Sequence, residues 1–232
     1  MTQLKKAALI TGASRGIGLA IARELAALGY SLGIVSRSQT DINTTADSLR
    51  TEHPGVEIIT GAFDIADDSK ITRFVGDVIE RLEGLSVMVN NAGELHQGTS
   101  QVSPETLRRL VEVNLVAATV FAQAVIPAMK SARSGLIVNV ASICGVEAYP
   151  EVGAYCASKF GLVAYSHALD QELAPYGIKV TALCPSWVNT RLSAHSTVKR
   201  EEMIQPEDLG ATVRYLLSLS AGARVRELVI HC

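Results

Sequence analysis

The chain lacks the spacings by which cysteine and histidine hold metals. Its four cysteines (Cys144, Cys156, Cys184, Cys232) and five histidines form no C-x-x-C, H-x-x-x-H or mixed pattern. That argues against a metal centre and against a disulfide framework, so the thiols are expected to be reduced and mostly buried. A basic block is also missing. Net charge is -2 with a pI near 6.2, and no run of Lys and Arg is long enough to follow a phosphate backbone or an anionic membrane, which excludes nucleic acid as an expected partner. Long apolar runs are absent as well. Met1–Ile10 has two lysines and then only Ala7-Ala8-Leu9-Ile10, too short for a secretion signal, and Leu115–Met129 is interrupted by Gln123 and Pro127. That stretch falls below the ~20 residues that span a bilayer, so a cytoplasmic protein with no membrane partner is expected. With no repeat or low-complexity linker, and 48% of 232 residues hydrophobic, one domain over 1–232 is expected.

Glycine is present where it matters. A short apolar run, Lys6–Thr11, leads directly into Thr11-Gly12-Ala13-Ser14-Arg15-Gly16-Ile17-Gly18, and an amphipathic segment follows to Leu28-Gly29. This reads as strand, glycine turn, helix. Glycines let backbone approach a pyrophosphate, and the first amides of the helix offer donors and positive dipole to it. The spacing is G-x-x-x-G-x-G, a variant of the usual dinucleotide fingerprint.

The next strand, Tyr30–Ser36, supplies a test of which dinucleotide is bound, because residues at its tip read the adenosine ribose. A carboxylate there would bond a free 2′-hydroxyl and repel a phosphate. The chain has Ser36-Arg37-Ser38 instead, with Arg15 already in the turn. Two guanidiniums and two hydroxyls suit a 2′-phosphate through forked, charge-assisted hydrogen bonds, which predicts NADP(H) over NAD(H).

Helices are expected over Asp41–Leu49 and Asp67–Leu82, and strands over Val56–Phe63 and Val87–Val89. Asp64-Ile65 and Asn90-Asn91-Ala92-Gly93 then sit at strand tips. Ser103-Pro104 begins a long helix that carries Asn114 and that Pro127 should end or kink. Strand Gly135–Val140 runs into Ala141-Ser142, a helix over Val152–Tyr176 stops at Gly177, and strand Lys179–Cys184 precedes Pro185-Ser186-Trp187-Val188-Asn189-Thr190. A last helix begins at Pro206 and a last strand covers Val225–Ile230. Seven strands alternating with six helices require crossovers, hence an α/β fold with a mainly parallel sheet covered on both faces.

In the helix over 152–176, Tyr155-Cys-Ala-Ser-Lys159 places a phenol and an ammonium one turn apart on one face. A phenol titrates near pH 10, so acid-base work near neutrality needs a shift of roughly 3 units, about 4 kcal/mol, which a close cation in a poorly solvated cleft could supply.

In order and spacing, Thr11–Gly18, Asn90–Gly93, Asn114, Ser142 and Tyr155–Lys159 resemble the motifs of the short-chain dehydrogenase/reductase family, over nearly the whole chain. The resemblance implies a Rossmann-like doubly wound seven-stranded sheet with a nicotinamide dinucleotide at the strands' carboxyl ends. Gly12, Ser14, Arg15, Gly16, Ile17 and Gly18 would then form the phosphate turn. Asp64 and Ile65 would lie beside the adenine, Asn91, Ala92 and Gly93 under the ribose and phosphates, and Pro185, Val188 and Thr190 about the nicotinamide amide. It further implies that Tyr155 donates a proton to a carbonyl oxygen fixed by Ser142. Lys159 would hold the ribose hydroxyls and lower the phenol's pKa, and Asn114 would anchor a water that replenishes the proton. The reaction implied is interconversion of a carbonyl and a secondary alcohol.

Two departures from the family stand out. Ser186 replaces a usual glycine, which puts the backbone of that loop in question, and no Gly-Gly-containing tail precedes Cys232, which weakens a 3-oxoacyl-carrier-protein reductase relative to a 3-hydroxy acid dehydrogenase or a reductase of varied carbonyls. The substrate pocket is expected between Glu94–Gln97, Ile143–Tyr149, Trp187 and a basic lid in Arg191–Met203 that carries Arg191, His195, Lys199 and Arg200. Apolar helix faces over 104–130 and 153–175 suggest a homodimer or homotetramer. The competing classes are a catalytically silent, cofactor-sensing relative and a nucleotide-sugar epimerase or dehydratase.

Overall fold

The computed structural model describes residues 6–194 and 196–232; the readings placed on 1–5 and on His195 lie outside the described residues. Strand β1 (Ala7–Thr11) is buried at every position, the apolar signature of a parallel strand covered on both faces. With β2 (Ser31–Ser36), β3 (Ile58–Ala62), β4 (Val87–Asn90), β5 (Gly135–Val140), β6 (Ile178–Pro185) and β7 (Glu227–Ile230) it forms one sheet in the order β3-β2-β1-β4-β5-β6-β7. Every pairing is parallel; Ile10, for example, sits between Ile34 of β2 and Val89 of β4. The chain therefore has the expected α/β, Rossmann-like doubly wound architecture. Strand order reverses between β1 and β4, and a crevice opens there at the strands' carboxyl ends.

The pleat sorts side chains onto two cores. Ala8 and Ile10 point to the face covered by α1 (Gly16–Ala27), α2 (Gln39–Glu52) and, from the chain's far end, α7 (Pro206–Ser218). Ala7 and Leu9 point to the other, covered by α3 (Asp68–Arg81), α5 (Ala117–Ala132) and α6 (Gly153–Leu173). Ser38 and Asp67 accept from main-chain N–H groups three residues on, capping α2 and α3.

The helix begun by Ser103-Pro104 differs from expectation. Segment α4 (Pro104–Val111) continues through a π turn, Glu112–Val116, into α5, giving one rod of 29 residues. Among the described residues, six helical rods thus alternate with seven strands. Pro127 neither ends nor interrupts the rod, which runs on to Ala132. A proline inside a helix costs about 3 kcal/mol, and fully burying a side chain such as Phe121, Val125 or Met129 returns about 1.5–3 kcal/mol each, so packing on the sheet outweighs the lost bond. By length and composition this rod, with mean hydropathy 1.7, could cross a bilayer, longer than the apolar run read from the sequence; half of that window is buried inside the protein.

At the far edge, Asp170 of α6 is fully buried and accepts from Val180 N–H at 3.0 Å and from Arg224 and Arg226. This clamp ties the segment leading into β7 to the body of the sheet. Helix α6 passes through a 3-10 turn, Ala174–Tyr176, and stops at Gly177, whose φ of +72° suits glycine.

Candidate active site

The crevice encloses about 1520 Å³, above the ~300–1,000 Å³ of common small-molecule sites, so a dinucleotide and a second molecule fit together. Of the expected site residues all but Gly18 and Asn114 line it.

The turn between β1 and α1 is shaped for an anion. Gly12 (φ +67°) and Gly16 (φ +55°) adopt backbone that only glycine enters freely. Helix α1 has no side chain capping its start, so its first amides have no such partner. Gly18 lies behind the turn, where a Cβ would stand 2.3 Å from the Gly12 carbonyl oxygen and 2.5 Å from Asn91 Nδ2. Its part is close packing. Asn91 does similar work: Nδ2 donates to the Thr11 and Gly12 carbonyls at 2.9 and 3.2 Å, and Thr11 Oγ1 accepts from the amides of Asn91 and Ala92, both at 3.0 Å. The tips of β1 and β4 are thereby locked together. These residues fit the pyrophosphate of a dinucleotide.

Beyond the tip of β2, Ser36 donates to the Ser38 carbonyl at 3.0 Å, and Ser38 caps α2. Arg37 is not free. Its Nη1 lies 2.9 Å from Glu94 Oε1, Glu94 is held bidentately by Arg109, and Arg109 also reaches Asp64 at 3.0 Å. Arg109 leads in holding the Glu94 carboxyl below its usual range, against some burial. Burial pushes the Asp64 carboxyl up, but the Ala66 amide and Arg109 outweigh it and the net shift is down. Arg109 was absent from the sequence reading, and Glu94 entered only as a pocket wall. Their pairing joins residues 15 apart across a loop and a helix, a distance at which no local pattern operates.

Deeper in the cleft, Tyr155 and Lys159 lie on one face of α6 as expected, with Nζ 5.7 Å from the ring centroid. Ser142, at the tip of β5, lines the same cleft as Tyr155, favours the ionised form of its phenol and accepts from Cys144 N–H at 3.1 Å. The expected lowering of the phenol's pKa is not found. Burial pushes Tyr155 well above its ordinary value, with Ser142 opposing, because desolvation penalises the charged phenolate. Lys159 is itself buried and pushed down to about 8 by desolvation. Its Nζ donates to the Val140 carbonyl at 2.9 Å.

Asn114 lies in the π turn and is buried behind this group. Oδ1 accepts from Glu94 N–H at 2.8 Å, and Nδ2 donates to the Glu94 carbonyl at 2.9 Å and to Ser158 Oγ at 3.0 Å. Its side chain thus holds the loop after β4 and does not face the cleft. Gly93 permits this approach: a Cβ there would stand 3.1 Å from Asn114 Oδ1 and 3.6 Å from Lys159 Nζ. Beneath the site, Asn90 donates to Asn139 at 2.8 Å and Asn139 to Ser166 at 2.8 Å, a buried polar chain linking β4, β5 and α6.

The loop after β6 closes the other wall. Ser186 adopts no positive φ, so the serine is accommodated without strain. Its N–H donates to Ile230 and its hydroxyl accepts from Cys232 N–H at 3.0 Å, tying the loop to the end of β7. Thr190 packs near Gly16, where a Cβ would stand 3.1 Å from the threonine methyl. Leu95, His96, Gln97, Ile143, Tyr149 and Trp187 line the outer cleft, as do Arg191 and Arg200 of the segment read as a basic lid. Lys199 does not line it and pairs with Glu202 at 3.5 Å. Burial pushes Cys144 up to about 11 and Cys184 to about 12, and the described residues hold no cluster of metal ligands.

Comparison with known proteins agrees with this geometry. The sequence model of the short chain dehydrogenase family matches residues 6–201. A granaticin polyketide synthase putative ketoacyl reductase of Streptomyces violaceoruber is 36% identical, covering 100% of this chain and 93% of its own. A monensin polyketide synthase putative ketoacyl reductase of Streptomyces virginiae is 37% identical over 83% of this chain and 75% of its own. Among solved structures, an actinorhodin polyketide ketoreductase with NADPH superposes with a TM-score of 0.89 at 32% identity, covering 100% of this chain and 98% of that one. An alcohol dehydrogenase from the archaeon Thermococcus sibiricus, complexed with 5-hydroxy-NADP, gives 0.89 at 31% identity over 97% and 96%. With a glycine turn, a tyrosine, lysine and serine converging at one cleft, and matches along almost its whole length, the chain belongs to the short-chain dehydrogenase/reductase family.

Proposed function

We propose that the protein is an NADP(H)-dependent oxidoreductase that interconverts a carbonyl and a secondary alcohol, in one catalytic domain over 1–232. The observation that carries this reading is the convergence of Ser142, Lys159 and a Tyr155 phenol kept protonated by burial in one cleft that begins at an uncapped helix start. The nicotinamide supplies hydride chemistry when bound. Gly12, Gly16 and the first amides of α1 hold its pyrophosphate, and Arg15, Arg37, Ser36 and Ser38 read the 2′-phosphate. Asp64 and Ile65 flank the adenine, and Pro185, Val188 and Thr190 position the amide of the reactive ring.

Tyr155 donates its proton to the substrate oxygen, which Ser142 orients with a second hydrogen bond. Burial keeps that phenol protonated at neutral pH, as a donor in the reductive direction requires. Lys159, which donates to the Val140 carbonyl and lies 3.6 Å from the position a Gly93 Cβ would take, would hold the ribose hydroxyls of a bound cofactor. Asn114 acts through the Glu94 main chain and Ser158, as a positioning residue.

Names of relatives favour a ketoacyl compound as the narrower substrate class. Exposed Leu107 on α4 and Phe160 on α6 support a homodimer or homotetramer, and a monomeric mass at micromolar concentration would reject it. Cytoplasmic location and the lack of nucleic-acid or membrane partners belong to the same reading. The test follows loss of NADPH or NADH absorbance with a panel of ketones and β-ketoacyl thioesters. Turnover with NADPH on at least one of them is expected. Cofactor binding without turnover across the panel would favour a cofactor sensor instead.

A further inference from the structure

Among the carboxylates lining the cleft that the functional reading leaves without a task, Glu94 is the one tied to Arg37. Glu94 is fixed twice. Its main chain is bonded at both N–H and C=O by Asn114, and its carboxylate is gripped by Arg109 at 2.8 and 3.1 Å. The same Oε1 also accepts from Arg37 at 2.9 Å. The Glu94 side chain is 17% exposed and that of Arg37 61%, so the carboxylate is the anchored member of the pair and the guanidinium the movable one. Arg37 follows β2 and Glu94 follows β4, with β1 between them in the sheet. The ion pair therefore spans the cleft beside the glycine turn.

We infer that Glu94 is a specificity-determining residue that competes with the cofactor's 2′-phosphate for Arg37 and so moderates the preference for the phosphorylated dinucleotide. This rests on the NADP(H) reading. A 2′-phosphate needs the guanidinium that Glu94 already engages, whereas a 2′-hydroxyl places no charge demand on it. Release of Arg37 does not strand the carboxylate, because Arg109 retains it and Asp64 backs Arg109 at 3.0 Å. The exchange thus costs one partly exposed ion pair.

The test titrates the full-length protein with NADPH, NADH and 2′-AMP by fluorescence. E94Q keeps the shape and the Arg109 contact but removes the charge. It is expected to bind NADPH and 2′-AMP about fivefold more tightly, the upper range for one exposed ion pair, with NADH changed by less than about twofold. In an Arg37→Ala background the same replacement should move NADPH affinity by less than about twofold, which a purely structural role for Glu94 would not predict. Unchanged or weaker NADPH binding by E94Q, in a protein that still prefers NADPH, overturns the inference alone. Wild-type protein that binds NADH as tightly as NADPH and ignores 2′-AMP overturns the cofactor reading and this inference with it. If E94Q fails to fold, Glu94→Asp shortens the reach to Arg37 while keeping charge for Arg109, and the same direction of change is required of it.

Discussion

Lys159 and Val140 are joined by a hydrogen bond in which Nζ donates to the main-chain oxygen at 2.9 Å. The strand tip of β5 thus holds, through its carbonyl, the ammonium that lies beside the reactive tyrosine, and it does so inside a buried pocket that penalises the charge.

That penalty has a measurable sign. Lys159 is pushed down to about 8 from an ordinary 10.5, so the folded protein binds fewer protons than the unfolded chain between those values. The cost is full below about pH 8 and is relieved as pH rises above it. Lys159→Met is therefore expected to be more stable than wild type at pH 7 in urea unfolding without cofactor. The gap should narrow by about 1 kcal/mol per pH unit between pH 8 and 10. A constant gap would show that the ammonium is not destabilised by burial.

Acid should act at the other end of α6. Burial raises the Asp170 carboxyl, but Arg224, the Val180 amide and Arg226 together bring it below the ordinary 3.8. Its stabilising contribution is complete above that ordinary value and is lost as pH falls through the lower, folded value. Asp170→Asn is expected to cost about 3–5 kcal/mol at pH 7, the range for breaking a buried ion pair, and to lose less stability than wild type between pH 4 and 2. Parallel acid unfolding curves for the two proteins would contradict this.

Close packing at the phosphate turn makes Gly18 intolerant. A Cβ there meets the Gly12 carbonyl at 2.3 Å and Asn91 Nδ2 at 2.5 Å, and the first of these is backbone that cannot step aside cheaply. Gly18→Ala is expected to cost about 1–3 kcal/mol, as overpacking does, and to weaken NADPH binding as well. Thermal melting and a cofactor titration read the two effects, and an unaffected titration would remove Gly18 from the site.

Cofactor choice tests Arg37. Replacing it with aspartate puts a carboxylate where a phosphate should bind and adds a third acid near Glu94 and Asp64. Arg37→Asp is expected to lower the NADPH-to-NADH preference by about tenfold to a hundredfold, the value of one or two charge-assisted hydrogen bonds. An unchanged ratio of kcat/KM values would mark Arg37 as a bystander.

Much of this site was legible because glycine and proline act locally. The turn at Gly12–Gly18 and the stop at Gly177 follow from the backbone freedom of glycine, and the cap at Ser103-Pro104 from a serine oxygen that accepts from Thr106 N–H and a proline that lacks the amide to be satisfied. What escaped depends on tertiary context. Pro127 was overridden by burial of Phe121, Val125 and Met129. The direction of the Tyr155 shift turned on how completely the ring is desolvated, which spacing to Lys159 does not encode. Asn114 was placed in the site by its motif, yet only coordinates show its side chain spent on Glu94 and Ser158. Ser186 was suspected of strain and instead ties its loop to the end of β7.

The most direct measurement is made on Tyr155→Phe, which removes one oxygen and leaves the ring in place. NADPH affinity should stay within about twofold of wild type while kcat for ketone reduction falls by about a hundredfold to ten-thousandfold, the value of a general acid. Turnover equal to wild type with intact NADPH binding would contradict the assignment of Tyr155 as proton donor.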